Sequence, residues 1–425
     1  MKLPHFIKNN VVLKITSVNA LVTGTRLVIS FFVQQLLARL IGNQGYALVG
    51  DIRNLIPMLT STSSLGVFSG VVKYVSEFQD NKPELVKVFS TATLFYVFGS
   101  LITSMLLLNC SEAISLYIFD DISYKNIIIF LAFMTPFIGL NRIVESIING
   151  TSDYKNYAKV ELYSYLVATV ILVIALFKFE LKGVLYAIAL SPLIKLVILI
   201  CVYGKTILKF LQPKKLQINF SYKNQLLAFT LMSFVSTFLI NFIDIAIRGE
   251  ISNQVSQAEA GNWTAVTFIS KNYMVFASGL FSLYILPSFS KIKTNVAFKK
   301  ELLYIYKTIL PIFGAGMLLV FLIRHLIVDW VFTGFDGMIP LFKWQLLGDF
   351  VKLCFLVLNY QLLAKKMVKS YVFLEFASLV LFYVIALLLI KEFKTEGIVM
   401  AHFFRSIGVL LMSLIIFRKA LFFSK

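Results

Sequence analysis

The segment Ser370–Ile390, SYVFLEFASLVLFYVIALLLI, carries a single charged residue, Glu375, among its 21 positions. An α-helix needs about 20 mainly apolar residues to cross the hydrocarbon layer of a bilayer. Comparable stretches recur along the chain from Val11 to the C-terminus. Because a helix satisfies its own backbone hydrogen bonds in lipid, this recurrence predicts an all-α polytopic membrane protein.

The composition supports the same class. Hydrophobic residues make up 59% of the 425 residues and charged residues 14%, with a mean hydropathy of +0.84. A soluble chain carries roughly a quarter charged residues. The net charge of +19 sits in short clusters between apolar runs, which indicates membrane topology and not nucleic-acid binding. Three cysteines lie in or beside apolar segments, so they predict neither disulfides nor a metal site.

Polar, Gly, Pro and charged clusters divide the chain into about twelve predicted helices in two sets of six. We expect an N-terminal lobe at residues 1–210, a cytoplasmic linker at 211–222 and a C-terminal lobe at 223–425. The predicted helices are Val11–Leu40, Tyr46–Phe78, Glu84–Leu108, Asn126–Ile148, Tyr154–Phe177, Gly183–Leu208, Lys223–Arg248, Gly261–Ser290, Lys300–Val331, Met338–Ala364, Ser370–Ile390 and Gly397–Leu421.

Lysine and arginine in the short connections predict the orientation. Every second connection is basic, beginning with Lys2 and Lys8 and including Lys214 and Lys215 of the linker. The alternate connections are acidic or mixed. Both termini are therefore predicted to be cytoplasmic. A weak match between Val72–Ser76 and Pro287–Lys291, each followed by Glu-Leu, favours a parallel repeat of the two halves.

The sequence holds no phosphate-binding loop, dinucleotide-binding turn or zinc-protease motif, and no extramembrane segment large enough for a catalytic domain. We therefore predict no catalytic residue, no metal and no cofactor.

Charged residues inside predicted helices are the candidate functional groups, because a charge at mid-bilayer costs about 2.5 kcal/mol or more. Substrate contact is predicted for the cations Arg26, Arg53, Arg248, Lys271 and Lys352. Ion coupling is predicted for the carboxylates Asp51, Asp244 and Asp349.

A structural role stays open for several of these residues. Arg142 with Glu145, Asp244 with Arg248, and Asp349 with Lys352 stand three or four positions apart, a spacing that favours local ion pairs. Arg26 and Arg53 have no acidic neighbour at that spacing, although Asp51 is within reach of either across the interface of predicted helices 1 and 2. The excess of buried cations predicts an anionic substrate, and guanidinium groups suit a diphosphate.

Three segments carry a family resemblance: Gly66–Val75 (GVFSGVVKYV), Ser282–Pro287 (SLYILP) and Trp344–Lys352 (WQLLGDFVK). With charged residues at Arg53, Arg248 and Glu375, they resemble the multidrug/oligosaccharidyl-lipid/polysaccharide exporter superfamily, and within it the Wzx-type O-antigen translocases. The resemblance covers nearly the full length. Lys271 departs from the family pattern, which has an acidic residue near that point.

The resemblance implies two six-helix lobes in a MATE-like V shape, located in the bacterial inner membrane. It implies a flippase that moves an undecaprenyl-pyrophosphate-linked oligosaccharide to the periplasmic leaflet by alternating access, with a polysaccharide polymerase and a chain-length regulator as partners. Coupling to a proton or sodium gradient or to the membrane potential stays open. The alternatives are a flippase for a peptidoglycan or teichoic-type precursor, a multidrug or organic-cation exporter, and a membrane polymerase.

Overall fold

The computed structural model describes residues 11–151, 153–212, 217–365 and 367–422. The predicted basic residues Lys2, Lys8, Lys214 and Lys215 lie outside them. The described residues form helices and connections without a β-strand. In chain order the α-helices are α1 Val11–Ser63, α2 Phe68–Glu77, α3 Lys82–Asn109, α4 Ser111–Phe119, α5 Lys125–Gly150, α6 Tyr154–Leu211, α7 Lys223–Ser233, α8 Ile240–Gln254, α9 Gln257–Leu280, α10 Leu286–Lys291, α11 Asn295–Leu322, α12 Arg324–Val331, α13 Leu341–Ala364, α14 Val368–Ile416 and α15 Arg418–Phe422.

Eight stretches of the described residues are long and apolar enough to cross a membrane. Three of them contain a residue with non-helical backbone angles, so that each is two helices joined at a sharp turn: Gly42 in α1, Glu180 in α6 and Lys394 in α14. Each turn falls between two predicted helices. The predicted all-α, multi-pass membrane class is confirmed.

Two predicted helices are wrong as single helices. Tyr46–Phe78 is broken at Leu65 and Gly66, which have φ of 46° and 64°. Lys300–Val331 is broken at Ile323, where α11 ends and α12 begins. Polar residues do stand at both breaks, with Thr60–Ser64 before Leu65 and Arg324-His325 after Ile323, but the flanking apolar runs continue and favoured a single helix in each case.

The chain forms two compact units. The first comprises Met1–Val33 and Asp51–Ile245, and the second comprises Gln34–Gly50 and Ala246–Lys425. Lys223–Ile245, the start of the predicted C-terminal lobe, thus belongs to the first unit. The predicted lobes at 1–210 and 223–425 describe membrane topology and stay a prediction. Gln34–Gly50 is held in the second unit by close packing. Tyr46 is buried between Phe332 and Phe335, at ring distances of 5.8 and 5.5 Å.

The order of elements is the same in both units. A helix of 28 residues (α3, α11) is followed by a short helix (α4, α12), a 3₁₀ turn, a spanning helix (α5, α13) and a sharply turned helical hairpin (α6, α14). The hairpin turns have nearly identical backbone angles, with φ 50° and ψ −138° at Glu180 and φ 52° and ψ −136° at Lys394. The order and the turns support the predicted internal repeat.

A glycine stands three positions after each hairpin turn. A Cβ at Gly183 would lie 2.4 Å from the carbonyl oxygen of Ala175, and one at Gly397 would lie 2.4 Å from that of Leu389. Only a residue without Cβ lets the returning helix approach so closely. Aligned on the turns, Tyr157, Glu161 and Ser164 of the first hairpin correspond to Tyr371, Glu375 and Ser378 of the second.

Candidate functional site

A cationic cavity in the first unit

The first unit contains a cavity of 390 Å³ whose wall comes mainly from α1, α5 and α6. Five charged side chains line it, namely Arg26, Arg142, Glu145, Glu161 and Lys195. Arg26 comes from α1, Arg142 and Glu145 from α5, and the other two from the two arms of α6. Four helical segments, two of them the arms of α6, therefore contribute charges to one space.

The five groups form a continuous ion-pair chain. Glu161 accepts from Arg26 Nη1 at 2.6 Å and from Lys195 Nζ at 2.5 Å. Lys195 also contacts Glu145 at 3.1 Å, and Glu145 contacts Arg142 Nη1 at 3.1 Å. The predicted local pair of Arg142 and Glu145 is confirmed. With three cations and two carboxylates, the chain carries one excess positive charge.

The cations of this chain are more accessible than the carboxylates. The side chains of Arg26, Arg142 and Lys195 are 39%, 35% and 25% exposed, against 5% for Glu145 and 15% for Glu161. Two aromatic rings add support, since Arg26 lies 5.1 Å above the ring of Tyr165 and Arg142 4.0 Å above that of Phe68. The carboxylates thus hold the cations in place while leaving their positive charge toward the cavity.

Two prolines lie inside the helices that line the cavity, Pro57 in α1 and Pro192 in α6. A proline inside a helix leaves the carbonyl four residues earlier without its amide donor. At Pro192 that carbonyl belongs to Ile188, and the Ser191 hydroxyl donates to it at 2.7 Å. This bond satisfies that carbonyl in an apolar environment, where an unsatisfied carbonyl is costly.

Two buried polar atoms in the cavity wall have no hydrogen-bond partner among the described residues: Asn141 Oδ1 and Ser164 Oγ. A buried polar atom without a partner costs about 1–3 kcal/mol. An amide oxygen accepts a hydrogen bond, and a hydroxyl both donates and accepts. The wall therefore offers hydrogen-bonding positions beside its cations that suit a ligand with hydroxyl groups.

A buried carboxylate cluster in the second unit

The second unit holds a different arrangement around one carboxylate, Asp349 of α13. Asp349 accepts hydrogen bonds from Ser270 Oγ at 2.5 Å, from the hydroxyl of Tyr273, and from Gln345 Nε2 at 3.2 Å. His402 of α14 lies 2.9 Å from its other oxygen. Because Ser270 and Tyr273 belong to α9, the carboxylate joins three helices.

The tautomer of His402 follows from its second neighbour. Arg405 Nη2 lies 2.7 Å from His402 Nδ1, and a guanidinium group only donates. His402 Nδ1 therefore accepts, which leaves the proton of a neutral imidazole on Nε2, where it is donated to Asp349. A second proton on His402 would have to displace the Arg405 contact.

Relationship to known proteins

The profile of the family described as "polysaccharide biosynthesis protein" matches residues 36–335. The chain belongs to this family. Among curated proteins, the lipid III flippase of Escherichia coli (strain K12) is 28% identical over 379 residues, covering 87% of this chain and 89% of that protein. The lipid III flippase of Shigella flexneri matches to the same extent.

Solved structures confirm the superfamily fold of this polysaccharide biosynthesis protein. An inward-facing MATE-family multidrug resistance transporter of the MOP superfamily aligns with a TM-score of 0.79 at 12% identity, covering 95% of this chain and 98% of that chain. The lipid II flippase MurJ aligns with a TM-score of 0.74 at 14% identity, covering 94% and 87%. The fold that the predicted superfamily implies is confirmed, and the relatives found in these comparisons are flippases and transporters.

Placement of the predicted residues

One predicted cation, Arg26, lines the cavity of the first unit, and its ion-pair partner is Glu161. Arg53 is half-buried in α1, one helical turn before Pro57. Asp51, two positions earlier in the chain, is buried. Asp244 is half-buried in α8. The roles of Arg53, Asp51 and Asp244 stay predictions.

The other predicted residues belong to the second unit. Arg248 is buried, donates from Nε to Thr264 Oγ1 at 2.8 Å and lies 5.4 Å from the ring of Trp263. Lys271 is exposed and Lys352 is half-buried. Asp349 is the centre of the buried cluster. Among the described residues, no group of three His, Cys, Asp or Glu side chains is arranged to hold a metal ion.

Sequence reasoning missed several residues of both sites. Glu161 stands near the basic start of a predicted span, beside Lys159, and was not assigned a role. His402 lies inside an apolar helix with no carboxylate at helical spacing, and its partner Asp349 is 53 positions away. A detectable signal existed for Glu161, because the spacing Tyr-x₃-Glu-x₂-Ser occurs at the start of both hairpins.

Proposed function

We propose that this protein is a flippase for a lipid-linked oligosaccharide, with the cationic cavity of the first unit as the site for the diphosphate of the carrier lipid. The observation that carries the proposal is the ion-pair chain, in which Arg26, Arg142 and Lys195 are accessible while Glu145 and Glu161 lie behind them. Its excess positive charge and its paired donors suit an anion of at least two charges.

The chemistry of the cavity fits a sugar diphosphate. Arginine forms bidentate hydrogen bonds to phosphate oxygens and stays charged in any environment. The partnerless Asn141 Oδ1 and Ser164 Oγ supply positions for sugar hydroxyls beside the diphosphate. The polyprenyl chain is apolar and remains in the bilayer, so that only the head group requires a polar path.

The relatives support the same class of substrate. The curated relatives are lipid III flippases, and a lipid II flippase shares the fold. Within this class we propose an undecaprenyl-pyrophosphate-linked repeat unit of O-antigen or a related surface polysaccharide, moved by alternating access from the cytoplasmic to the periplasmic leaflet of the bacterial inner membrane. Both termini are then cytoplasmic, and a polymerase and a chain-length regulator act on the product. A cavity with excess positive charge disfavours an organic-cation exporter.

We further propose that Asp349 and His402 couple transport to a proton gradient. Protonation of His402 requires loss of the Arg405 contact, and it changes the charge of the pair that His402 of α14 forms with Asp349 of α13, so proton uptake acts on the contact between these two helices. The other charged groups close enough to act on the cluster are Lys352 and Glu375. The membrane potential favours outward movement of negative charge by about 2.3 kcal/mol per charge per 100 mV.

The test is depletion of the protein in its native strain, followed by leaflet-specific labelling and mass spectrometry of the lipid-linked oligosaccharide. A complete repeat unit that accumulates on the cytoplasmic face would support the proposal and reveal the sugar. Accumulation of single repeats on the periplasmic face would contradict it in favour of a polymerase. Accumulation of a peptidoglycan precursor would assign a different lipid-linked substrate, and no change in any lipid-linked sugar would favour drug export.

A further inference from the structure

A second cavity, of 280 Å³, lies between α11 and α13 in the second unit and is almost entirely apolar. From α11 it is lined by Gly314, Met317 and Phe321, and from α13 by Lys343, Leu346 and Phe350. These positions recur at intervals of three and four residues, so each set lies on one face of its helix. Gly314 permits the opening, since a Cβ there would lie 3.1 Å from the Phe350 ring.

One end of this apolar cavity is basic. Lys343 itself lines the cavity, and the Arg324 guanidinium lies 4.1 Å from the ring centroid of Phe321. Both cations border the connection between Leu322, where α11 ends, and Leu341, where α13 begins. Neither forms an ion pair with a carboxylate among the described residues.

The matching helices of the first unit are joined by a side chain. These helices are α3 and α5, which stand in the element order where the second unit has α11 and α13. Ser104 Oγ donates to the carbonyl of Ala132 in α5 at 2.8 Å, which ties α3 to α5. In the second unit the residues of α11 that line the cavity, among them Gly314, Met317 and Phe321, have no hydroxyl that could form such a bond. The opening is therefore a difference between the repeats and not a consequence of the shared fold.

We propose that this cavity binds an acyl chain of an anionic membrane phospholipid, whose phosphate contacts Lys343 and Arg324. An apolar void in contact with lipid gains dispersion contacts when a hydrocarbon chain fills it. Ammonium and guanidinium groups both form charge-assisted hydrogen bonds with phosphate.

The basic end distinguishes this occupant from the polyprenyl tail of the transport substrate. The diphosphate of that substrate is assigned to the cavity of the first unit, so its tail would bring no anion to Lys343 and Arg324. A membrane phospholipid has its phosphate next to its acyl chains and satisfies both ends of the site at once. The inference does not depend on which lipid-linked sugar is transported.

Native mass spectrometry of the full chain in mild detergent tests the proposal, with dioleoyl phosphatidylglycerol and dioleoyl phosphatidylcholine added at equal concentration. We expect the wild type to retain phosphatidylglycerol in preference. The double variant Arg324→Gln/Lys343→Gln should reduce that retention about tenfold, to the level of the zwitterionic lipid. The matched double variant Lys299→Gln/Lys300→Gln, at exposed positions at the other end of α11, should retain phosphatidylglycerol as the wild type does.

The apolar part of the site is tested by filling it. Gly314→Leu should reduce retention of phosphatidylglycerol, and Leu347→Trp is a second filling variant at an exposed position of the lining, for use if Gly314→Leu is not monodisperse. Equal retention of both lipids by the wild type would overturn the proposal, as would unchanged retention in the glutamine double variant or in a folded filling variant. Displacement of phosphatidylglycerol by an equimolar polyprenyl phosphate would assign the cavity to the substrate tail instead.

Discussion

The hairpins of α6 and α14 turn with the same backbone geometry, yet the polar groups between their arms differ. Aligned on the turns, Glu161 and Glu375 occupy the same position. Lys195 stands where the second hairpin has Val409, and Ile188 stands where it has His402. The first unit therefore pairs its glutamate with a lysine on the returning arm, while the second unit places a histidine on that arm beside Asp349.

This comparison separates what the repeated backbone requires from what each unit adds. The turn and the glycine after it appear in both units because the hairpin geometry needs them. The accessible cations appear in the cavity of the first unit, and the buried carboxylate–histidine pair in the second. We infer that the first copy of this hairpin serves substrate binding and the second serves ion coupling. Variants that affect one process without the other test this division.

The largest effect is expected from removing two cations of the first cavity. Each charge-assisted hydrogen bond to a phosphate contributes about 1.5–3 kcal/mol, so Arg26→Gln/Arg142→Gln should reduce transport of a fluorescent lipid-linked oligosaccharide in proteoliposomes by at least about 100-fold. The measurement is the fraction of label accessible to a membrane-impermeant quencher over time.

The matched control for that variant is Lys155→Gln/Lys159→Gln, which removes two exposed cations near the start of α6. This control should transport at the wild-type rate. Transport at the wild-type rate by Arg26→Gln/Arg142→Gln would show that the cavity is not the substrate site. An equal loss in both double variants would show that net charge, and not the cavity, determines the rate.

The next effect concerns the feature that the two units share. A Cβ at Gly183 or at Gly397 would meet a carbonyl oxygen at the same distance. Overpacking of this kind costs about 1–3 kcal/mol, so Gly183→Ala and Gly397→Ala should each lower the free energy of unfolding by about 2 kcal/mol, and by similar amounts. Gly204→Ala, whose Cβ would have only an ordinary contact at 3.7 Å, is the control. Unequal losses at the two hairpins would mean that the turns are not equivalent.

Much of this fold was predictable because long apolar helices and polar connections have a strong signal. The turns at Gly42, Glu180 and Lys394 all fall where charged or glycine-containing clusters interrupt the apolar runs. The breaks at Leu65 and Ile323 had a weaker signal, the polar run Thr60–Ser64 before Gly66 and the pair Arg324-His325, which the long apolar runs around them outweighed.

Within the two sites, only contacts between residues three or four positions apart on one helix were predictable. Arg142 and Glu145 stand three positions apart, and their ion pair was predicted from that spacing. Arg26 was identified as a charge inside a span, but its partner Glu161 is 135 positions away, a distance about which a single sequence carries no information. The excess of cations depends on composition, so the prediction of an anionic substrate required no knowledge of any contact.

A smaller effect is expected in the second unit. Asp349→Asn keeps the shape of the side chain but removes the charge that holds the His402 proton donor. We expect transport driven by a pH gradient to fall about tenfold, equivalent to about 1.4 kcal/mol, with the substrate affinity unchanged. The measurement is proteoliposome transport with and without the gradient. Asp329→Asn, at an exposed position of α12, is the control and should behave as the wild type.

If Asp349→Asn instead weakened substrate binding and left the response to the gradient intact, the assignment of coupling to the second unit would be wrong. The same comparison in the Arg26→Gln/Arg142→Gln variant should give the opposite pattern, with weaker binding as its main defect. The two units would then differ in function as they differ in their polar groups.

The smallest effect returns to the hairpin turns. Glu180 and Lys394 adopt a positive φ with a strongly negative ψ, the region of the first central residue in a type II′ turn, where Gly is preferred. Such a conformation costs a residue with Cβ about 1–3 kcal/mol, while Gly costs about 0.5–1 kcal/mol in unfolded-state entropy. Glu180→Gly and Lys394→Gly should therefore each raise the free energy of unfolding by about 1 kcal/mol. The controls Lys178→Gly and Lys391→Gly, at exposed helical positions beside the turns, should lower the free energy of unfolding. A lower free energy of unfolding in all four variants would mean that side-chain contacts of Glu180 and Lys394 outweigh the backbone strain.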